Sequence, residues 1–192
     1  MKFNISPDIK IKPRKGKVLL AEPFLDDPYF KRTVILLCEH NEEGSFGFVL
    51  NNYIDIELDQ VMEELPTFST RISIGGPVKN SNLYYLHTLG EQIGESVEVM
   101  DGIYMGGDFD ILKEKLRMGQ VQKDEVRFFV GYSGWSPNQL DTELGSKSWF
   151  VANVKPKLLM NTDVTDLWKK VMGSMGSKGS MIANLPDDPS LN

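Results

Sequence analysis

The stretch Thr33-Val34-Ile35-Leu36-Leu37-Cys38-Glu39, followed after His40 by Asn41-Glu42-Glu43-Gly44 and then by Ser45-Phe46-Gly47-Phe48-Val49-Leu50-Asn51, decides the fold class. Two runs of aliphatic, β-branched and aromatic residues flank a short polar connection that ends in glycine. That pattern reads as an antiparallel hairpin. A third run of the same kind, residues 17–21, precedes it, and residues 71–74, 83–88, 125–132 and 147–154 read as further strands. Helical spacing appears at Leu58, Val61, Met62 and Leu65, closed by Pro66. It recurs at Phe109, Leu112 and Leu116, with Ile111 beside them and Asp108 placed as N-cap. Residues 137–144, with Pro137 in the first turn, and residues 163–172, carrying Leu167, Trp168 and Val171, complete the helices. The order β-β-β-α-β-β-α-β-α-β-α lacks the regular alternation of a doubly wound sheet. It predicts an α+β fold with mostly antiparallel pairing.

At 192 residues, 41% hydrophobic and 25% charged, the chain has the size and composition of one globular domain. Its longest purely apolar run is Val34 to Cys38, far short of the ~20 residues a membrane helix needs. The first residues have neither a signal-peptide core nor an Arg-rich transit pattern, so the expected location is cytoplasmic, with no membrane partner. A single cysteine, Cys38, excludes a disulfide framework and a cysteine-rich zinc site, and two histidines, His40 and His87, leave little for metal binding. No metal and no cofactor is expected.

The net charge of −6 divides unevenly: residues 1–17 carry +5 and the rest −11. A domain at −11 repels a phosphate backbone, so direct nucleic-acid binding is disfavoured. Residues 1–16 read as a basic lead-in and 17–172 as the single domain. Residues 173–192 read as a tail whose crowding of Gly173, Ser174, Gly176, Ser177, Gly179 and Ser180 argues against firm order.

Four motifs bear on chemistry. Gly131-Tyr132-Ser133-Gly134-Trp135 approaches the G-x-S-x-G nucleophile elbow, but its second glycine comes one residue early. Cys38 and His40 alternate onto one strand face, yet Cys38 ends an apolar run, as a buried thiol would. Gly75-Gly76-Pro77 and Gly106-Gly107-Asp108 match no phosphate-loop spacing and read as turns needing φ > 0 or close approach. Arg32 ends the loop from Pro23, where its guanidinium suits a carboxylate clamp, on a ligand or on Asp26, Asp27 or Glu39. Phe24, Tyr29 and Phe30 in the same loop suit either a dimer contact or the core. No helix-turn-helix, zinc-finger or basic-zipper pattern is present.

The ordered blocks 25–34, 38–44, 47–51, Gly75-Gly76-Pro77-Val78, 129–135, Gln139-Leu140 and Glu143-Leu144 resemble the AlgH/YqgE family of bacterial proteins over roughly residues 17–172. Two departures stand out: the family pattern tends to have Arg-Pro after the Gly-x-Val-x-Asn block, where this chain has Asn52-Tyr53, and the charged N-terminal extension and Gly/Ser-rich tail do not align with it. The resemblance implies a bifurcated, mainly antiparallel sheet bent into a pseudo-barrel, with a few flanking helices. It also implies the label often given to such proteins, transcriptional regulator, without carrying over any catalytic or DNA-binding residue.

Three readings of function follow. The first is a binding or regulatory protein acting indirectly through a protein or small-molecule partner, with Arg32, Asn51, Tyr132, Ser133, Trp135 and Gln139 as its ligand site. The second is a hydrolase-type enzyme using Ser133 or Cys38, which needs a base within ~3 Å. The third is a direct DNA binder. The first is preferred, with no catalytic residue assigned.

Overall fold

The computed structural model describes residue 7 and residues 11–187. Residues 1–6 and 8–10 of the basic lead-in and 188–192 of the tail lie outside the described residues. Ten strands form one mostly antiparallel, unclosed sheet: β1 (Val18–Ala21), β2 (Val34–Asn41), β3 (Gly44–Val49), β4 (Tyr53–Ile54), β5 (Ile72–Ile74), β6 (Val78–His87), β7 (Val97–Met100), β8 (Ile103–Met105), β9 (Val126–Trp135) and β10 (Trp149–Ala152). Among the described residues, six α-helices flank them: α1 (Leu58–Val61), α2 (Phe109–Arg117), α3 (Gln139–Gly145), α4 (Pro156–Met160), α5 (Leu167–Gly173) and α6 (Gly176–Ala183).

The main path runs β10-β1-β2-β3-β9-β6-β8-β7, and the sheet divides at β9. Along one edge of β9, Ser133 to Trp135 pair antiparallel with β3, while Phe129 and Val130 pair parallel with β5. This fork is the bifurcation that the family resemblance implied. The curl brings the far edge round: a Cβ added to Gly16, just before β1, would lie 2.9 Å from the Met100 side chain in β7.

Alternation assigns the side chains to layers. In β2, Val34, Leu36 and Cys38 face the inner core with Phe48, Phe129 and Trp168, while Ile35 and Leu37 face an outer cluster with Trp135, Leu140 and Trp149. That two-sided burial explains the unbroken apolar run. A second outer cluster, around Phe128, Tyr85, Leu112 and Leu116, lies beneath α1 and α2. β9 serves both faces because its alternation slips at Gly131. Phe129 and Tyr132, three residues apart, both meet the inner core, and Gly131 takes φ +72 between them. A side chain there would also strike Val78 O at 2.8 Å.

The predicted hairpin forms as read, with Asn41 paired to Gly44 across Glu42 and Glu43. Asp108 caps α2, its Oδ1 accepting from Asp110 N and Ile111 N. Two expectations are corrected. The helix expected over residues 57–65 is one turn, α1, and the chain is extended at Met62. Glu63 and Glu64 suit a helix C-terminus poorly, and Glu64 is instead drawn to α2 by Lys113 (3.0 Å) and Arg117 (2.9 Å to its carbonyl). Strands β7 and β8 form in a segment to which the sequence reading assigns no element. The Gly/Ser-rich stretch is not loose: it forms α6, whose Gly179 approaches α5 so closely that a Cβ would lie 2.4 Å from Met172 O. Its glycine serves helix–helix contact. No helix of the described residues is long and apolar enough to cross a membrane.

Candidate functional site

The fork in the sheet is filled by a charge. Arg127, on β9, is fully buried. Its guanidinium donates to Leu159 O of α4 and to Leu50 O beyond β3, and reaches Ser73 Oγ of β5 at 3.2 Å and Tyr53 Oη of β4 at 3.3 Å. It thus ties together the elements that separate there. Its Nε has no partner. Burial pushes the Arg127 pKa below the usual arginine value, but a guanidinium keeps its proton at any physiological pH.

A second guanidinium lies over the same tyrosine. The Arg71 Cζ sits 3.6 Å from the Tyr53 ring centroid, and that of Arg127 sits 5.8 Å away. Arg71 is exposed, and its one hydrogen bond among the described residues is a long 3.4 Å contact to Thr162 O. Neither arginine forms an ion pair among the described residues. Beside them the Thr70 hydroxyl oxygen is buried without a partner. Arg71, Thr70 and Tyr53 open onto a cleft of about 280 Å³, whose other walls include Ile54, Asp55 and Glu57. Buried polar groups are ordinarily satisfied, so surplus donors beside an open cleft mark a place for a ligand.

The six residues expected to form a site are not brought together. Arg32 and Asn51 share one corner. Asn51 accepts from Val34 N (2.8 Å) and donates to Arg32 O (2.9 Å), fixing Arg32 at φ +50. The Arg32 side chain clamps the end of the described chain through Leu185 O (2.7 Å), Pro186 O (2.8 Å) and Asp187 (2.9 Å), over the Trp168 ring at 4.6 Å. Its acid partner is Asp187 rather than Asp26, Asp27 or Glu39. Trp135 and Gln139 meet elsewhere, around Glu143. Glu143 Oε2 accepts from Trp135 Nε1 (2.9 Å) and Trp149 Nε1 (2.7 Å), and Oε1 accepts from Gln139 Nε2 (2.9 Å). Phe30 closes this corner 5.3 Å from the Trp149 ring, a core role, whereas Tyr29 is exposed. Tyr132 packs on Phe46 at 5.1 Å.

The proposed nucleophiles are engaged or inert. Ser133 is fully buried in mid-strand and its hydroxyl donates to Gly75 O at 3.0 Å. Burial drives the Cys38 thiol far above its usual pKa. A bulge between Leu37 and Glu39 also breaks the expected pairing of faces. Glu39 lies opposite Phe46 on the inner side, and His40 lies opposite Ser45, bonded to its hydroxyl at 2.8 Å. His87 is buried between Gly106 O (2.9 Å to Nε2) and Leu89 N (3.2 Å to Nδ1), so neither histidine serves Ser133 or Cys38.

The AlgH-like family profile matches residues 18–180. The chain belongs to this AlgH-like family. A UPF0301 protein of Cytophaga hutchinsonii is 41% identical over 179 residues, covering 93% of this chain and 98% of that one. One from Bacteroides fragilis is 38% identical over 197 residues, covering 99% and 100%. In structure, the solution structure of the AlgH protein from Pseudomonas aeruginosa superposes with a TM-score of 0.71 at 27% identity, covering 90% of this chain and 94% of that one. A crystal structure of a Corynebacterium diphtheriae protein does so with a TM-score of 0.77 at 23% identity, covering 92% and 95%, a likeness of fold.

Within this AlgH-like chain, sequence reasoning implied the fork but missed the buried guanidinium that fills it and the cleft beside it. The one available signal was Arg127 itself, a charged residue set among Val126, Phe128 and Phe129 in an apolar strand. Tyr53 and Arg71 lie far apart in sequence and meet only because β4 pairs with β5.

Proposed function

We propose that this AlgH-like chain is a non-catalytic binding protein, which takes a small polar ligand at the fork and acts as an indirect regulator in the cytoplasm. Regulation of transcription would run through the liganded protein and a protein partner, not through DNA contact, given the −11 carried by residues beyond the first 17. The observation that carries this reading is the surplus of donors: Arg71 and Arg127 flank Tyr53 without an acid partner among the described residues, beside an open cleft. A catalytic reading finds no support in the placement of Ser133 and Cys38, both buried away from either histidine.

The test is a thermal-shift screen of the full chain against metabolites, nucleotides, metal ions and short duplex DNA, with Arg71→Gln run in parallel. A ligand at 100 times its dissociation constant adds about 2.7 kcal/mol to the folded state. A shift that disappears in Arg71→Gln supports the reading. Shifts that survive that substitution, or that arise only with DNA, overturn it.

A further inference from the structure

The cleft at the fork carries charge of both signs, and the pattern narrows its ligand. On one side stand donors: the Arg71 guanidinium, the unpartnered Thr70 hydroxyl, and the Tyr53 hydroxyl, whose oxygen accepts from Arg127. The same lining also carries the carboxylates of Asp55 and Glu57, the latter accepting from the Gln60 backbone N–H as the cap of α1. Both are exposed and neither enters an ion pair among the described residues. A simple anion drawn to Arg71 would be opposed by two carboxylates, and a simple amine drawn to those carboxylates would be opposed by the Arg71 guanidinium.

A molecule bearing a carboxylate and an ammonium satisfies both sides at once. Its carboxylate would accept from the Arg71 fork and the Thr70 hydroxyl, and its ammonium would donate to Asp55 and Glu57. Size agrees. The cleft, about 280 Å³, lies at the lower limit of sites for drug-sized molecules, about 300–1,000 Å³. The remaining wall is aliphatic: Ile54 and Ile56 line it, and Ile56 is 41% exposed with no cover. Resting on the reading of the fork as a ligand site, we infer that the ligand is a free amino acid with an apolar side chain, held as its zwitterion.

Titration calorimetry on the full chain tests this with L-leucine and its two halves: 4-methylpentanoate, which lacks the amino group, and 3-methylbutylamine, which lacks the carboxylate. L-Valine, L-isoleucine and L-methionine complete the set. At least one amino acid should bind, and its counterparts lacking either group should bind at least tenfold more weakly. Asp55→Asn combined with Glu57→Gln should bring the amino acid down to the level of its deaminated acid. Arg71→Gln should abolish binding of both, and Arg71→Lys should restore only part, because lysine lacks the planar fork. Melting curves of the free variants check that each is folded. Binding of 4-methylpentanoate as tight as that of L-leucine overturns the zwitterion while leaving the fork as a ligand site. Failure of every amino acid, with a different Arg71-dependent ligand found in the broader screen, does the same. Failure of every probe in both experiments overturns the fork as a ligand site as well.

Discussion

Two polar clusters sit on this sheet, and they are opposites. At the Glu143 corner, one carboxylate receives Trp135, Trp149 and Gln139, and Phe30 seals the outside. Every donor there has an acceptor. At the fork, Arg127 donates to Leu50 O and Leu159 O, but Arg71, Thr70 and the orphaned, buried Nε of Arg127 leave donors over. Both clusters join tyrosine or tryptophan to a charged group, so residue type alone does not distinguish them. The count of unsatisfied groups does. A closed cluster contributes to stability, and an open one holds donors ready for something else.

Substitutions can break this contrast. Arg127→Ala carries the largest expected effect, a loss of about 3 kcal/mol or more in urea unfolding, because Leu50 O and Leu159 O lose their buried donors and the fork loses its filling. Arg127→Met refills the volume without the hydrogen bonds and should recover only part. If it matches the wild type, the polar filling of the fork contributes nothing. Next is Glu143→Ala, which strands two indole N–H groups and should cost about 2 kcal/mol, with Glu143→Gln nearer 1 kcal/mol. Tryptophan fluorescence would report this corner directly, and ligand binding at the fork should not change.

A smaller effect concerns pH. Buried His87 is satisfied as a neutral ring, Nε2–H donating to Gly106 O and Nδ1 accepting from Leu89 N–H, and burial lowers its pKa. The unfolded chain therefore binds the proton more readily than the folded one. Stability is full above the unfolded value of about 6.5 and falls as the pH drops below it toward the folded value. Melting temperatures between pH 7 and pH 5 should show this limb, and His87→Gln should flatten it. The smallest effect on stability belongs to Arg71→Gln, about 0.5 kcal/mol or less in the free protein, since Arg71 is exposed and has one long hydrogen bond. A loss of 2 kcal/mol there would make the fork another closed cluster and end the contrast.

The fold was legible where local chemistry and tertiary structure agree. The Asn41–Gly44 connection, the Asp108 cap and the strand through Val34 to Cys38 all form as the sequence reads. It was illegible where tertiary contacts decide. α1 shortens because Glu64 is taken by α2, α6 forms because Gly179 lets it rest on α5, and the short, partly exposed β7 and β8 lack an apolar run. The expected site residues are polar or aromatic groups of the kind a site uses, yet Asn51, Ser133 and Gln139 bond the protein's own backbone and side chains. Tyr53 falls where the sequence departs from the family pattern, and Arg71 was read only as the start of a strand. Nothing at helical or strand spacing links them, because a sheet pairing between distant segments brings them together.

The pairing of β1 with β10 has a consequence for synthesis. β1 lies between β2, which follows it closely, and β10, which is made about 130 residues later. At about 5–20 residues per second, a growing chain carries β1 with one side unpaired for on the order of ten seconds. Val18, Leu19, Leu20 and Ala21 are then an apolar edge with free backbone groups, the kind of edge that recruits a wrong strand from a neighbouring chain. The same four residues that are fully enclosed in the finished protein are an exposed, sticky edge while it is being made.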